Sequence, residues 1–341
     1  MNDKQTPLTW ETLDWTALDR LRDQFLSGTP TTASYWNSAS DVANYDFTYA
    51  QRIGWKWDAV LRELRLRGWS PPAGPVLDWG CGSGIAGRRV IEMFGWEVVT
   101  AMRVFDHSAL AMEFAKTKAV EEFPGLQVTS AAPAAPGVGT LIVSHVLNEL
   151  TESGGQALRQ AIDLADAVLW VEPGTHADSR ALITLREALR EQFTVIAPCT
   201  HQAGCGLLAA GNERHWCHHF AKPPAGIMAD SDWVKFAQRA GIDLRSLPYS
   251  FLVLERRGLR PAIPGRLDEG AARVLGVPRV YKGFSKLLSC DATGVRELEM
   301  QKRVAPQIHR AFKDGDAPTL WHWKVDGIRI TNPEPVLGET P

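Results

Sequence analysis

The 341-residue sequence has no apolar run of roughly 18 residues or more, so no membrane-spanning helix is expected. Its opening, Met1-Asn2-Asp3-Lys4-Gln5, leads into acidic, Trp-containing sequence without the apolar core of a secretory signal or the Arg/Ser-rich character of a transit peptide. The expectation is a soluble, cytoplasmic protein with no membrane partner. Net charge is nearly absent: 37 Lys and Arg against 39 Asp and Glu leave −2, which, if evenly spread, would argue against a nucleic-acid partner. Cysteine is scarce, and five residues in a large cytosolic chain do not make a disulfide framework. Internal repeats are missing too, which sets aside solenoids and propellers.

The charge is not evenly spread. From Arg256 to Lys313 there are 13 Lys and Arg against 5 Asp and Glu, a balance of +8, while the rest of the chain holds 24 against 34, a balance of −10. That asymmetry suits a basic face for a polyanion, although a solvated surface with no partner explains it equally well. A hydrophobic content of 45% supports one sizeable core plus a smaller module.

Residues 1–72 read as a helical segment, with Leu13, Leu18, Leu21 and Phe25 in one run and Val60, Leu61, Leu64 and Leu66 in another. The stiff connector Pro71-Pro72-Ala73-Gly74-Pro75 then opens a second domain, 73–258. There strands expected at 76–78, 97–105, 126–129, 140–144, 167–172, 194–197 and 250–255 alternate with helices at 86–94, 109–123, 155–164, 177–192 and 232–240. Alternation of this kind means a doubly wound α/β sheet with helices on both faces. A Cys- and His-rich insertion at 198–229 interrupts it. A small, basic, β-rich C-terminal module at 259–331 contributes Cys290, and a disordered tail at 332–341 follows.

The first strand, Val76-Leu77-Asp78, runs into glycines at 80, 82 and 84 and then a helix with Ala86, Val90, Met93 and Phe94 on one face. Glycines at a strand-to-helix turn tolerate positive φ and let a ligand approach the backbone, and the helix N-terminus offers N–H groups to an anionic end. Asp106 closes the second strand 22 residues past Gly84, about the offset at which a carboxylate meets a ribose diol. The spacing Asp-x-Gly-x-Gly-x-Gly differs from the dinucleotide pattern Gly-x-Gly-x-x-Gly, so an NAD site is the lesser alternative, as is a turn that binds nothing. It resembles motif I of class I S-adenosylmethionine (SAM) dependent methyltransferases. That resemblance implies a seven-stranded sheet, Asp78, Gly80, Gly82 and Gly84 at the methionine end of SAM, and Asp106 on its ribose.

The fourth strand ends Ser144-His145-Val146-Leu147-Asn148-Glu149, where class I methyltransferases place groups facing cofactor and substrate. Ser144 is therefore a cofactor-binding candidate, and His145, Asn148 and Glu149 are catalytic candidates. For His145 and Glu149 ordinary helix-start chemistry explains the residue types as well. Neither an Asn/Asp-Pro-Pro-aromatic run nor a Pro-Cys pair occurs there to specify a methylated atom.

Four cysteines lie outside the glycine loop: Cys199, Cys205, Cys217 and Cys290. Four thiolates suit a tetrahedral zinc or an iron–sulfur cluster, although the spacing lacks the close pairs of zinc ribbons, and four unrelated small hydrophobic residues remain the alternative. Their contexts are Pro198-Cys199-Thr200-His201, Gly204-Cys205-Gly206 and Trp216-Cys217-His218-His219-Phe220. Together with the glycine loop, these resemble the family of mitochondrial methyltransferase-like protein seventeen and its yeast and bacterial relatives, over about residues 49–303. The resemblance implies association with the small ribosomal subunit and a four-iron four-sulfur cluster held by the four cysteines. Gly206 in place of proline, the longer gap to Cys217 and the extra His219 depart from the family pattern, and zinc with His201 or His218 stays open. Two roles follow for such a protein, methylation of ribosomal RNA or non-catalytic subunit assembly, and a monomer is favoured. A small-molecule methyltransferase with incidental or zinc-binding cysteines is the alternative from another class.

The same family reading gives the basic module a structural task. Arg279, Lys282, Lys286, Arg296, Lys302 and Arg303 flank Cys290, so a cluster fixing this segment would pre-arrange phosphate contacts.

Overall fold

A computed structural model describes residues 8–27, 35–268 and 270–337. The chain divides into two compact units. The first comprises Met1–Leu61, Pro71–Val171 and Ala221–Leu247, and the second Arg62–Ser70, Glu172–Phe220 and Pro248–Pro341.

The first unit opens with helices α1 (Trp15–Ser27), α2 (Ala39–Phe47) and α3 (Tyr49–Leu66), the last turn of α3 belonging to the second unit. The apolar periodicity of α1 is used on two sides. Leu18 packs with Phe236 and Ala240, and Leu21 with Trp36, Val42 and Ala111. Ser38 starts α2 by accepting the Asp41 N–H, satisfying a donor that has no partner inside the helix. Alternation then begins with β1 (Gly74–Trp79), α4 (Ile85–Phe94), β2 (Val99–Phe105), α5 (Ala109–Glu122), β3 (Gln127–Ser130), β4 (Thr140–Ser144), α6 (Glu152–Leu164) and β5 (Ala167–Pro173).

These five strands lie in the order β3-β2-β1-β4-β5, all parallel. The strands β4 and β5 are buried almost throughout, as expected when helices cover both faces of a parallel sheet. After β1 the chain builds outward to β2 and β3, then returns to place β4 on the other side. That reversal leaves a crevice at the carboxyl ends of β1 and β4, the usual position of a ligand in an open α/β sheet. The fold class read from the sequence is the one found: a doubly wound α/β sheet with a β-rich C-terminal module.

In the second unit, α7 (His176–Leu189) leads to β6 (Phe193–Ala197), the short β7 (His219–Ala221) and β8 (Leu247–Arg256), and β6 pairs antiparallel with β8. The intervening helix α8 (Ser231–Ala240) belongs to the first unit. The strand β7 was not expected inside the 198–229 insertion.

Beyond β8 the chain forms β9 (Ala271–Val280), β10 (Phe284–Asp291), β11 (Gly294–Gln301), α9 (Pro306–Asp314), β12 (Leu320–Asp326) and β13 (Arg329–Pro335). These five strands close into a barrel in the order β10-β11-β13-β12-β9, with β11 and β13 parallel. Alternate residues of β10 point inward, and Leu287, Leu298, Met300, Phe312, Trp321 and Ile330 fill the interior. One expectation is corrected here. Asn332 does not begin a disordered tail, because β13 pairs with β12 through Trp321↔Pro335, and residues 338–341 lie outside the described residues. Among the described residues no helix is long and apolar enough to cross a membrane.

A buried ion network stands within the second unit. Glu63 pairs with Arg67 at 2.7 Å and also with Arg273. Both guanidiniums reach main-chain carbonyls as well, Arg67 that of Ile196 and Arg273 that of Pro198, each at 2.6 Å. Burial alone would raise the Glu63 pKa, but the two arginines overcome it and hold the carboxyl at about 2.

Candidate functional site

In the first unit, Gly80, Gly82 and Gly84 all take positive φ, between 51° and 79°. Each glycine has its own reason. A Cβ on Gly80 would come within 2.8 Å of Val146, and one on Gly84 within 2.8 Å of Ala115, whereas nothing lies within 4 Å of the position over Gly82. Room above the loop is therefore left at its middle glycine. Gly84 is the N-cap of α4 and has no side chain to cap it. Asp78, at the end of β1, does so instead, its Oδ2 accepting the Gly87 N–H at 3.0 Å.

The loop is also tied to β2. The N–H groups of Gly80 and Cys81 donate to the Phe105 carbonyl, and Gly82 N–H donates to Asp106 Oδ2 at 2.9 Å. The other Asp106 oxygen accepts the Ser108 N–H at 2.9 Å. Asp78 is fully buried, and burial pushes its pKa up to about 7 against the opposing effects of the Gly87 N–H and Arg88. Its Oδ1 and the Ser83 hydroxyl are buried with no hydrogen-bond partner among the described residues. Two unpaired polar atoms in one loop mark a place where a ligand would supply the missing bonds.

At the end of β4, His145 is the non-glycine residue with positive φ, 57°, among the described residues, and its ring is engaged at both nitrogens. Lys56 Nζ stands 3.1 Å from Nε2, and Ser144 Oγ 3.2 Å from Nδ1. Lysine only donates, so Nε2 accepts and the ring proton sits on Nδ1, directed to Ser144, whose oxygen also accepts the Trp57 indole N–H at 3.0 Å. Burial first, then Lys56 and Arg52, hold the His145 pKa well below its usual value. A neutral ring with both nitrogens occupied is a positioned strut rather than a free base.

Glu149 is different. Burial pushes its pKa up to about 7, Tyr35 OH donating at 3.2 Å works against this, and the neighbouring Asp106 charge adds to it. Glu149 therefore feels the charge of the carboxylate that follows β2. Asn148 is exposed, and nothing draws it to that pair.

In the second unit, the 198–217 segment and β10 bring Cys199, Cys205, Cys217 and Cys290 into one neighbourhood. Burial raises the pKa of Cys205 to about 11 and drives Cys217 and Cys290 higher, and Cys199 adds to the rise in each. Ile183, Leu207 and Leu275 form a dry wall against Cys205, Cys217 and Cys290. Two histidines approach: His201 Nε2 stands 3.8 Å from Cys290 Sγ and His219 Nε2 3.7 Å from Cys217 Sγ. The His201 Nδ1 is buried without a partner among the described residues.

Three arginines act electrostatically on the sulfurs. Arg186 interacts with Cys199 and Cys205, Arg67 with Cys199, and Arg273 with Cys217. Their charge works against burial and towards the thiolate, the form that binds metal. Among the described residues no three His, Cys, Asp or Glu side chains close to the spacing of a single metal ion. A tetrahedral zinc with Zn–S of about 2.3 Å needs sulfurs roughly 3.8 Å apart, whereas four thiolates around a multi-iron cluster stand further from one another.

Residues 57–315 match the family model described as mitochondrial small ribosomal subunit Rsm22. The chain belongs to the Rsm22 family. This is the family that the glycine loop and the four cysteines together resemble. No curated protein matches the chain significantly. Solved structures similar to it include the magnesium protoporphyrin IX methyltransferase of Synechocystis PCC 6803 with bound SAM, at 16% identity over 74% of this chain and 99% of that one, TM-score 0.38. Others are the plantazolicin methyltransferase BpumL with S-adenosylhomocysteine (SAH), 11% over 71% and 100%, TM-score 0.39, and M. capricolum TrmK with SAH, 8% over 59% and 71%, TM-score 0.33.

Sequence reasoning missed several residues at both places. Tyr35, Lys56 and Trp57 come from the N-terminal segment, whose pattern signals only amphipathic helices. Arg67, Arg186 and Arg273 act on the cysteines from three distant segments, and no local spacing announces that. Of the six cations noted around Cys290, three are consumed internally: Arg279 by Glu297, Lys286 by Glu297 and Glu299, and Arg296 by Asp291.

Proposed function

We propose that this chain binds SAM in the first unit, holds a four-iron four-sulfur cluster in the second, and acts on the small ribosomal subunit through its RNA, by methylation or as an assembly factor. The observation that carries the SAM reading is the glycine loop: open above Gly82, tied to Asp106, and carrying unpaired acceptors at Asp78 Oδ1 and Ser83 Oγ. Asp78 Oδ1 suits a ligand ammonium, which would keep that carboxylate charged, and the α4 N-terminus suits a carboxylate. Asp106 would hold the ribose diol, Ser144 lines the β4 side, and Glu149, with its pKa near 7, is the residue best suited to move a proton there.

For the cluster, the donor set fits: four thiols in one neighbourhood, three of them against an apolar wall, with Arg67, Arg186 and Arg273 acting on them electrostatically beyond their pairing with Glu63 and Glu187. Bound there, the group supplies a covalent tie between the 198–217 segment and β10. A cluster held in this way is structural.

The test is anaerobic purification of the tagged protein from its host. Stoichiometric iron and sulfide, a SAM titration by calorimetry and recovery of small-subunit RNA are expected. Colourless protein without iron or sulfide would remove the cluster, and absence of small-subunit RNA would remove the ribosomal reading.

A further inference from the structure

The C-terminal barrel has a specific topology. Its strands, taken as first to fifth from β9 to β13, close in the order first-second-third-fifth-fourth, with the third and fifth parallel and α9 between the third and fourth. That is the oligonucleotide-binding (OB) arrangement, whose ligands usually lie across the second and third strands and the loops beside them.

Here much of that face is already covered. Leu288 and Cys290 of β10 and Val295 of β11 pack against Ile183, Leu207 and Leu275 with Cys205 and Cys217. Gly206 sits so close that a Cβ on it would meet the Gly294 and Val295 backbone at 2.8 Å. What stays open is the other end of the two strands. There the β9–β10 turn and the turn after β11 are knitted together, Lys302 N–H donating to the Gly283 carbonyl and Tyr281 N–H to that of Phe284, both at 2.9 Å.

The Tyr281 ring, 44% exposed, is stacked on Phe284 with centroids 4.7 Å apart and an interplanar angle of 15°. Lys282, Lys302 and Arg303 are exposed on the same two turns and form no ion pair among the described residues. The acidic residues of β10 and β11 do not compete for them, because Asp291, Glu297 and Glu299 are paired to Arg296, Arg279 and Lys286. A flat ring stacked on a second ring, with three uncommitted cations on the same two turns, suits an unpaired base and the phosphates on either side.

We propose that this rim, Tyr281 with Lys282, Lys302 and Arg303, binds single-stranded RNA, one base stacking on Tyr281. The inference rests on the reading that the chain acts on ribosomal RNA and gives it a contact surface. The stacked base uses the face of Tyr281 opposite Phe284, and the cations take the backbone, so sequence preference is weak and salt dependence strong.

The test uses the full-length protein and a fluorescein-labelled 12-nucleotide oligouridylate, followed by anisotropy between 50 and 300 mM salt, with an RNA duplex of equal length as comparison. Tyr281→Ala is expected to weaken binding about 5- to 150-fold, the effect of removing one base–aromatic stack, while Tyr281→Phe retains it. Replacing Lys282, Lys302 and Arg303 together by Ala should lower the slope of log affinity against log salt by about 2. Circular dichroism melts check that each variant is folded.

Wild-type protein that does not bind the oligomer, or folded rim variants that bind it equally well, would overturn the proposal. So would a preference for the duplex. Co-sedimentation of the same variants with small subunits separates the two readings. If wild type co-sediments and the rim variants do too, with oligomer binding unaffected, the ribosomal reading stands and the rim does not; if the variants lose only the subunit, the rim serves a protein partner and the RNA assignment falls.

Discussion

Gly82 N–H donates to Asp106 Oδ2 at 2.9 Å, so the middle of the glycine loop is anchored to the end of the neighbouring strand by the carboxylate expected to meet a ribose. One side chain thus shapes the loop and borders its open space. Asp106→Ala should weaken SAM binding roughly 10- to 100-fold, the effect of losing hydrogen bonds to a charged group. Calorimetric titration checks this, and an unchanged Kd would mean that Asp106 serves the fold alone.

Gly84 is at φ 79°, and a Cβ there would meet Ala115 at 2.8 Å. Gly84→Ala combines backbone strain with overpacking and is expected to cost about 1–3 kcal/mol. Gly82→Ala, with nothing within 4 Å, carries the strain without the clash and should cost less in stability. The comparison of urea midpoints decides whether packing against α5, and not only the dihedral, demands glycine at 84.

Glu149 has its carboxyl pKa raised by burial to about 7, above the unfolded value of about 4.3. Between those pH values the folded chain holds a proton that the unfolded chain has lost. Its contribution is full below pH 4.3 and is lost as the pH rises through 7. Ligand-free wild-type protein should therefore lose about 1–3 kcal/mol of stability between pH 4.5 and 7.5 that Glu149→Gln does not lose. Parallel melting curves for the two proteins across that range would contradict the assignment.

Glu63 behaves in the opposite sense. Burial raises its pKa, but Arg273 and Arg67 prevail and hold it at about 2, so its contribution is present above pH 4.3 and lost as the pH falls through 2. Glu63→Ala leaves two buried guanidiniums without their shared carboxylate and should cost about 3–5 kcal/mol. Chemical denaturation at pH 7 measures it. A loss within the range of a surface substitution would show that the main-chain carbonyls of Ile196 and Pro198 suffice for the two arginines.

Anaerobically purified Cys290→Ser is expected to lose most iron and sulfide, and Cys81→Ser to keep both, because Cys81 lies in the glycine loop of the first unit. Iron analysis of the two variants side by side distinguishes a site made by Cys199, Cys205, Cys217 and Cys290 from adventitious thiol binding. Equal iron in both would count against the four-cysteine assignment.

The α/β alternation, the positions of the parallel strands and the glycine loop were legible in the chain, because each rests on spacing within about ten residues, whereas β7 and the individual strands of the barrel were not. The strand at 140–144 and the helix beginning at 109 fall at the positions expected from the sequence, the helix capped by Ser108. The cysteines were legible as a set of four, and their contexts matched a family pattern. Other features depend on chain segments that meet only after folding. Nothing near Arg67, Arg186 or Arg273 marks them as neighbours of the thiols, and +8 over the C-terminal segment overstates its free charge, since Arg279, Lys286 and Arg296 are each matched by a carboxylate on β10 or β11. Which cations remain open to a partner is set by strand register and barrel closure, through pairings such as Lys286↔Glu299 and Ser289↔Arg296. Local sequence carries periodicity and motif, but a charge is spent or left free only by the residue that the fold brings opposite it.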